Sequence, residues 1–182
     1  MAIALVGTGT AIETLDTVEA RCDAFTGLGA DALGVGRFAA ADAVLSRCER
    51  QLLAAGSAAQ LWRQRLRLTW VRAELDMVAG NAAEALRHAH DARELATDIV
   101  SLRHRTKTEL ILAAAHCAVG DIDRSLVHAH SVLDACSEHG LVPLRWAAAM
   151  LLAGLGEVTT ASTLAAECAE VLRRRGGVVA GA

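Results

Sequence analysis

Apolar residues recur along this sequence at intervals of three and four, the spacing that places side chains on one face of an α-helix. In the first such segment, Leu15, Val18, Cys22 and Phe25 share a face. The period-two alternation typical of half-buried strands is missing. Glycines, capping residues and the single proline divide the chain into eight predicted helices, at about 12–33, 38–53, 58–79, 82–96, 99–119, 122–139, 142–155 and 158–174. The pattern predicts an all-α fold.

Part of this pattern repeats. The segment GNAAEALRHAH at 80–90 returns 40 residues later as GDIDRSLVHAH at 120–130. The turn glycines are 44, 40 and 36 residues apart: Gly36, Gly80, Gly120 and Gly156. A small residue follows five positions after each one, and a small or apolar residue follows after twelve: Ala41, Ala85, Ser125 and Ala161, then Cys48, Ala92, Val132 and Cys168. Repetition at this period indicates four antiparallel helical hairpins in one domain, 12–175, between a flexible lead-in at 1–11 and a disordered tail at 176–182.

Helix starts are predicted from the residues that can cap them. Ser57 and Gln60 have the spacing of a capping box, which would start the third helix at Ala58. Asn81, Asp98 and Asp121 are predicted to cap the fourth, fifth and sixth helices. Pro143 fits the first turn of the seventh helix, where its missing N–H costs nothing.

With these turns and small positions, the chain from about Thr14 to Arg174 resembles the tetratricopeptide repeat family. The glycine that this family has in its first helix is replaced here by Ala73, Ala113 and Ala149. The units average longer than the family's usual length of about 34 residues and are similar to the sensor repeats of MalT-type bacterial transcription activators. The resemblance implies a right-handed superhelix whose first helices line a concave groove that holds a peptide or ligand. It does not imply catalysis.

Counting back ten, six and three residues from each turn glycine marks one side of each first helix. If the geometry of the family holds, that side is the wall of the groove. The predicted groove residues are Trp70, Glu74 and Met77 of the third helix, Leu110 of the fifth, and Trp146 and Met150 of the seventh.

Basic residues follow the same repeat: Arg63, Arg65 and Arg67 align with Arg103, Arg105 and Lys107. They predict a basic rim beside the apolar floor. Such a surface suits a partner segment with apolar anchors and carboxylates, because arginine binds carboxylates through paired hydrogen bonds and tryptophan supplies contact area. The competing interpretation is that Trp70 and Trp146 are ordinary core and that the arginines only solvate a helix surface.

Composition narrows the function classes. The hydrophobic fraction of 53% includes only 3% aromatic residues, so small side chains must bring the helices together. The net charge of −3 disfavours general binding to nucleic acid or to acidic membranes. The most apolar run, 141–155, is too short for a membrane span and contains Arg145. Five scattered cysteines without a Cys-x-x-Cys pair predict reduced thiols and a cytoplasmic location.

Two histidine pairs, His88 with His90 and His128 with His130, could suggest a metal site. Residues two apart point about 200° away from each other on a helix, so neither pair can chelate an ion alone. We predict no metal and no other cofactor. Ser125 and His128 share one helix with their neighbouring aspartates, whereas catalytic triads draw on separate elements. Other catalytic motifs are missing, and we predict that the chain is not an enzyme.

These observations favour a non-catalytic interaction module that binds a segment of another protein. One alternative is a sensor of a small ligand or peptide in a transcriptional regulatory system. Others are a homodimeric structural subunit, whose groove is its interface, and a nucleic-acid binder that uses the arginine ridge. The negative net charge weighs against the last of these.

Overall fold

A computed structural model describes residues 14–177 of the chain. The predicted lead-in at 1–11 lies outside this range, as do residues 178–182 of the predicted tail. The described residues form eight α-helices and one short 3-10 helix, Ala59–Leu61. The α-helices are α1 (Leu15–Gly34), α2 (Phe38–Ala54), α3 (Trp62–Val78), α4 (Ala82–Ala96), α5 (Leu102–Ala118), α6 (Ile122–His139), α7 (Val142–Gly154) and α8 (Val158–Arg174). Residues 14–177 contain no strand, and the predicted all-α fold is confirmed.

Each helix contacts mainly its neighbour in the chain. The most extensive contacts join α1 with α2, α3 with α4, α5 with α6 and α7 with α8. The alternate helices α1, α3, α5 and α7 also contact one another in that order. The face on which the groove is predicted therefore belongs to helices that are adjacent in space.

The turns and small positions follow the predicted repeat. Gly80 and Gly120 have φ angles of 78° and 80°, which side chains rarely tolerate. The predicted small and apolar positions are all buried: Ala41, Ala85, Ser125, Ala161, Cys48, Ala92, Val132 and Cys168. Along α4, small buried side chains allow close packing against α3 and α5. At Gly29 of α1, an added Cβ would lie 2.6 Å from Cδ2 of Leu45. The helices approach closely where side chains are smallest.

The predicted capping box at Ser57 and Gln60 does not form. The 3-10 helix Ala59–Leu61 precedes α3, which begins at Trp62, and no side chain caps either start. Leu61 is fully buried in the core between α1, α2 and α3. Burial of this leucine favours the tighter turn over an early helix start.

The prediction that Asp98 caps α5 is also wrong, because this helix begins at Leu102, after Ser101. Ile99, in the connection between α4 and α5, packs against the core. Asp121 does cap α6, accepting a hydrogen bond from the Arg124 backbone. Pro143 lies in the first turn of α7 as predicted.

No helix between residues 14 and 177 combines the length and the apolar character that crossing a membrane requires.

Candidate binding groove

The face of α3 next to α5 carries a regular stripe of side chains. Arg63, Arg67, Trp70, Glu74 and Met77 follow one another at spacings of four and three, and each lines one of two adjoining pockets. Helix periodicity places them on one side of α3, where α5 is the neighbouring helix.

The larger of these pockets is an apolar chamber of about 540 Å³. Its walls come from Met77 of α3, Leu110 and Ile111 of α5, and Trp146 and Leu151 of α7. Among the described residues that line it, the ionisable ones are Glu74 and Lys107, which form an ion pair with a separation of 3.1 Å. The chamber can therefore bind apolar groups.

The smaller pocket, of about 300 Å³, is a basic pocket. It is lined by Arg63, Arg67, Trp70, Arg103 and His104, and it shares Lys107 and Leu144 with the apolar chamber. Because these two residues line both pockets, the pockets adjoin each other, and together we call them the inner groove. An extended ligand could place apolar groups in the chamber and negative charge in the basic pocket.

Much of the predicted basic rim is already neutralised by carboxylates. A guanidinium nitrogen of Arg63 lies 2.8 Å from Glu19 and 2.7 Å from Asp23, and Arg67 also pairs with Asp23. Arg103 differs, because within residues 14–177 no carboxylate lies within salt-bridge distance of its exposed side chain. Arg103 is therefore the cation most available to an anionic ligand.

Trp70 lines the basic pocket, but it does not form an open floor, because only 7% of its surface is exposed. Its Nε1–H donates a hydrogen bond to Oγ1 of Thr108 at 3.0 Å. The ring of His104 stacks on it with a centroid distance of 5.7 Å, and Lys107 Nζ lies 5.5 Å from its centroid. Burial, and then the guanidinium groups around the pocket, lower the pKa of His104.

Three predicted site residues lie outside the inner groove: Arg65, Arg105 and Met150. Arg65 is two positions from Arg63 and Arg67, and Arg105 is two positions from Arg103 and Lys107. Each therefore points about 200° away from these neighbours on its helix. Arg65 donates hydrogen bonds to the carbonyl groups of Leu52 and Gly56, and Arg105 donates to those of Ile99 and Val100. Both arginines satisfy carbonyls in the last turn of α2 or in the connections between helices instead of extending the rim.

Met150 is 46% exposed and lines neither pocket of the inner groove. The side of α7 that lines the chamber carries Leu144, Ala147 and Leu151, with Trp146 at its edge. Of the two residues of α7 that counting from the glycine selected, Trp146 therefore lines the chamber and Met150 does not, and the count did not select Leu144, Ala147 or Leu151. Their spacing of three and four was the signal that could have found them, whereas His104 carried no comparable signal.

The histidines lie outside the inner groove except for His104. His88 and His128 have Nδ1 atoms 2.9 Å from carboxylate oxygens of Asp76 and Glu109, and His130 pairs with Glu157. The first two contacts join α3 to α4 and α5 to α6, and the third joins α6 to the residue before α8. Their geometry explains the repeated histidines as packing contacts.

His116 is almost fully buried among other rings. It stacks on His128 with a centroid distance of 5.4 Å, while His90 lies edge-on at 5.9 Å. Its Nδ1 has no hydrogen-bond partner, and burial, followed by the proximity of His128, lowers its pKa. In the part of the chain described, no three histidine, cysteine or acidic side chains converge so as to hold a metal ion.

No protein-family model, curated protein or solved structure matches this chain.

Proposed function

We propose that this chain is a non-catalytic interaction module whose inner groove binds a segment of another protein. The segment carries at least one large apolar side chain, which enters the apolar chamber. It also carries a carboxylate or acidic side chain, which Arg103 binds.

The observation that carries this proposal is that the two pockets adjoin each other, with lining residues from three helices. Met77, Leu110 and Trp146 supply apolar walls from α3, α5 and α7, and Lys107 joins this chamber to the basic pocket. Apolar anchors in pockets provide most of the affinity of protein interfaces, whereas charges set orientation and specificity. A site with both elements side by side suits one amphipathic segment.

The proposal includes a right-handed superhelix of the tetratricopeptide type, with α1, α3, α5 and α7 on its concave side. The ordered contacts among these four helices support this arrangement. It also includes a cytoplasmic location. All five cysteines are free thiols, including Cys22 and Cys48, which are close neighbours in the core. Reduced thiols are typical of intracellular proteins.

The test is affinity capture from a lysate of the organism that encodes the chain. Trp146→Ala removes a chamber wall, and Arg103→Glu reverses the unpaired charge of the basic pocket. Arg105→Glu is the matched control, because it changes an exposed arginine of the same helix outside the inner groove. We expect a protein that the wild type and the control retain and that both groove variants lose.

Each variant must first show the helical content and cooperative unfolding of the wild type. Retention of the same proteins by all four chains would contradict binding in the inner groove. A self-associating wild type, with a dimer that Trp146→Ala dissociates, would instead identify the inner groove as a homodimer interface.

A small-ligand sensor is the second candidate, because the volume of the chamber alone lies within the range of small-molecule sites. If the chain is such a sensor, the ligand that it retains should pass through a dialysis membrane that holds back proteins. Mass spectrometry of the extract from the purified chain distinguishes the two candidates.

A further inference from the structure

A third pocket lies on the opposite side of α3 from the inner groove. This outer cleft, of about 570 Å³, runs between α2 and α4. Leu68 and Thr69 of α3 form its floor, while Leu53 of α2 and Leu95 of α4 form its sides. The cleft is as large as the apolar chamber but shares no residue with it.

The repeat explains why this cleft is open. Thr69 and Glu109 occupy equivalent positions, 40 residues apart. Around Glu109 the space is divided into two pockets of about 190 and 170 Å³, and Glu109 lines both. Its carboxylate reaches His128 at 2.9 Å. The Thr69 hydroxyl instead donates to the carbonyl of Arg65 in its own helix, so no long side chain divides the outer cleft.

The outer cleft exposes apolar surface on two sides. Leu53 is 71% exposed and Leu95 is 40% exposed, and each lies in the last turn of its helix. Leu68 lies buried between them. An aliphatic side chain of leucine size that entered the cleft would contact all three.

The charge around the outer cleft is opposite to that of the basic pocket. Glu49, Asp91 and Glu94 line it, and Arg65, the one cation among the described residues of its lining, donates hydrogen bonds to backbone carbonyls. Glu49 and Asp91 form surface ion pairs with Arg72 and Arg87. An exposed pair such as that of Asp91 with Arg87 contributes little to stability and can exchange partners.

Glu94 is the exception among these carboxylates. Within residues 14–177, no cation lies within salt-bridge distance of its exposed side chain. The cleft therefore offers an anionic edge with one unpaired carboxylate beside an apolar floor.

We propose that the outer cleft binds a short segment of another protein in which one leucine-sized aliphatic side chain is flanked by lysine or arginine. The aliphatic group fills the space above Thr69, and the flanking cations bind Glu94 and its acidic neighbours. This site is independent of the inner groove and selects the opposite charge.

The test is selection of a phage-displayed library of random 12-residue peptides on the whole purified chain. Enriched peptides are then measured by fluorescence anisotropy. Thr69→Gln places a neutral side chain as long as Glu109 in the cleft. Thr163→Gln is the matched control, because Thr163 of α8 is an exposed threonine whose hydroxyl also bonds to the carbonyl four residues earlier.

We expect enriched peptides that combine an aliphatic residue with flanking basic residues. Thr69→Gln should weaken their binding by at least about tenfold, as expected for a filled pocket. Glu94→Gln should weaken it less and reduce its dependence on salt. Thr163→Gln and Arg103→Glu should leave it unchanged.

The proposal is overturned if no such class of peptides is enriched, or if the enriched peptides bind Thr69→Gln as tightly as the wild type. It is also overturned if sedimentation shows a dimer that Leu53→Ser dissociates, because a second copy of the chain would then cover the cleft. Leu95→Ser provides a second variant of the cleft if Thr69→Gln does not fold.

Discussion

The indole of Trp70 and the hydroxyl of Thr108 join α3 to α5 by a hydrogen bond of 3.0 Å between Nε1 and Oγ1. Both side chains are buried, and Thr108 also donates to the carbonyl of His104. This bond fixes the tryptophan at the edge of the inner groove, and its donor would otherwise be buried without a partner.

Thr108→Val should therefore lower the free energy of unfolding by about 1–3 kcal/mol, because it leaves a buried N–H unsatisfied. In a double-mutant cycle with Trp70→Phe, which removes the donor, we expect a coupling of about 1 kcal/mol. Urea denaturation measures all four proteins. Additive effects of the two substitutions would show that the bond does not stabilise the fold.

Two glycines of α1 should respond in opposite directions to alanine. Gly29→Ala should destabilise the protein by about 1–3 kcal/mol, since the new methyl group would lie against Leu45 in the core. Gly27 has no atom within 4 Å of an added Cβ, so Gly27→Ala should stabilise the helix by about 0.5–1 kcal/mol. Thermal and urea unfolding of both variants check this, and equal effects would contradict the close packing of α1 on α2.

The buried His116 should make stability depend on pH. Its pKa in the folded chain is lowered from the ordinary value of 6.5, first by burial and then by His128, and only partly restored by Asp121. Below pH 6.5 the unfolded chain consequently binds more protons at this residue than the folded chain. The stability that His116 contributes is complete above pH 6.5 and is lost as the pH falls toward its folded pKa.

His116→Gln removes this titration. The wild type should thus lose more unfolding free energy than His116→Gln as the pH decreases from 7.5 to 5. Comparing the two proteins at each pH cancels the contributions of the histidines that do not contact His116. A difference that stays constant over this range would show that His116 is not buried as a neutral ring.

The cysteines should differ in their reaction with iodoacetamide. Burial raises the pKa of Cys22 to about 12 and that of Cys136 to about 11, and Cys48 and Cys168 are buried as well. Only Cys117 is partly exposed. Native-state alkylation followed by mass spectrometry should therefore modify Cys117 first, while rapid modification of Cys136 would contradict its burial.

The helical architecture was predictable because it rests on local signals. Gly80 and Gly120 each follow the end of a helix, and the stripe from Arg63 to Met77 follows from helix periodicity alone. Periodicity also separates Arg65 and Arg105 from this stripe, since two residues turn a helix by about 200°. The predicted basic rim was too large because the arginines were grouped by their repeat, without regard to the direction in which each side chain points.

Features that depend on packing between helices could not be predicted. The capping box at Ser57 is a valid local pattern, but burial of Leu61 prevails over it. The pairing of Lys107 with Glu74, and of Arg63 with Asp23, requires the register between helices that no sequence period gives. These pairs decide which cations remain available, and they leave Arg103.

The most direct test of the central claim is site-specific photocrosslinking in a lysate of the organism that encodes the chain. p-Benzoylphenylalanine replaces Met77, which lines the apolar chamber, or Met150, which is exposed outside it. If a partner segment binds in the inner groove, position 77 gives a crosslinked protein that position 150 does not, and Arg103→Glu abolishes it. The same crosslinks from both positions, or a crosslink at 77 that survives Arg103→Glu, would contradict binding of an acidic, apolar-anchored segment in the inner groove.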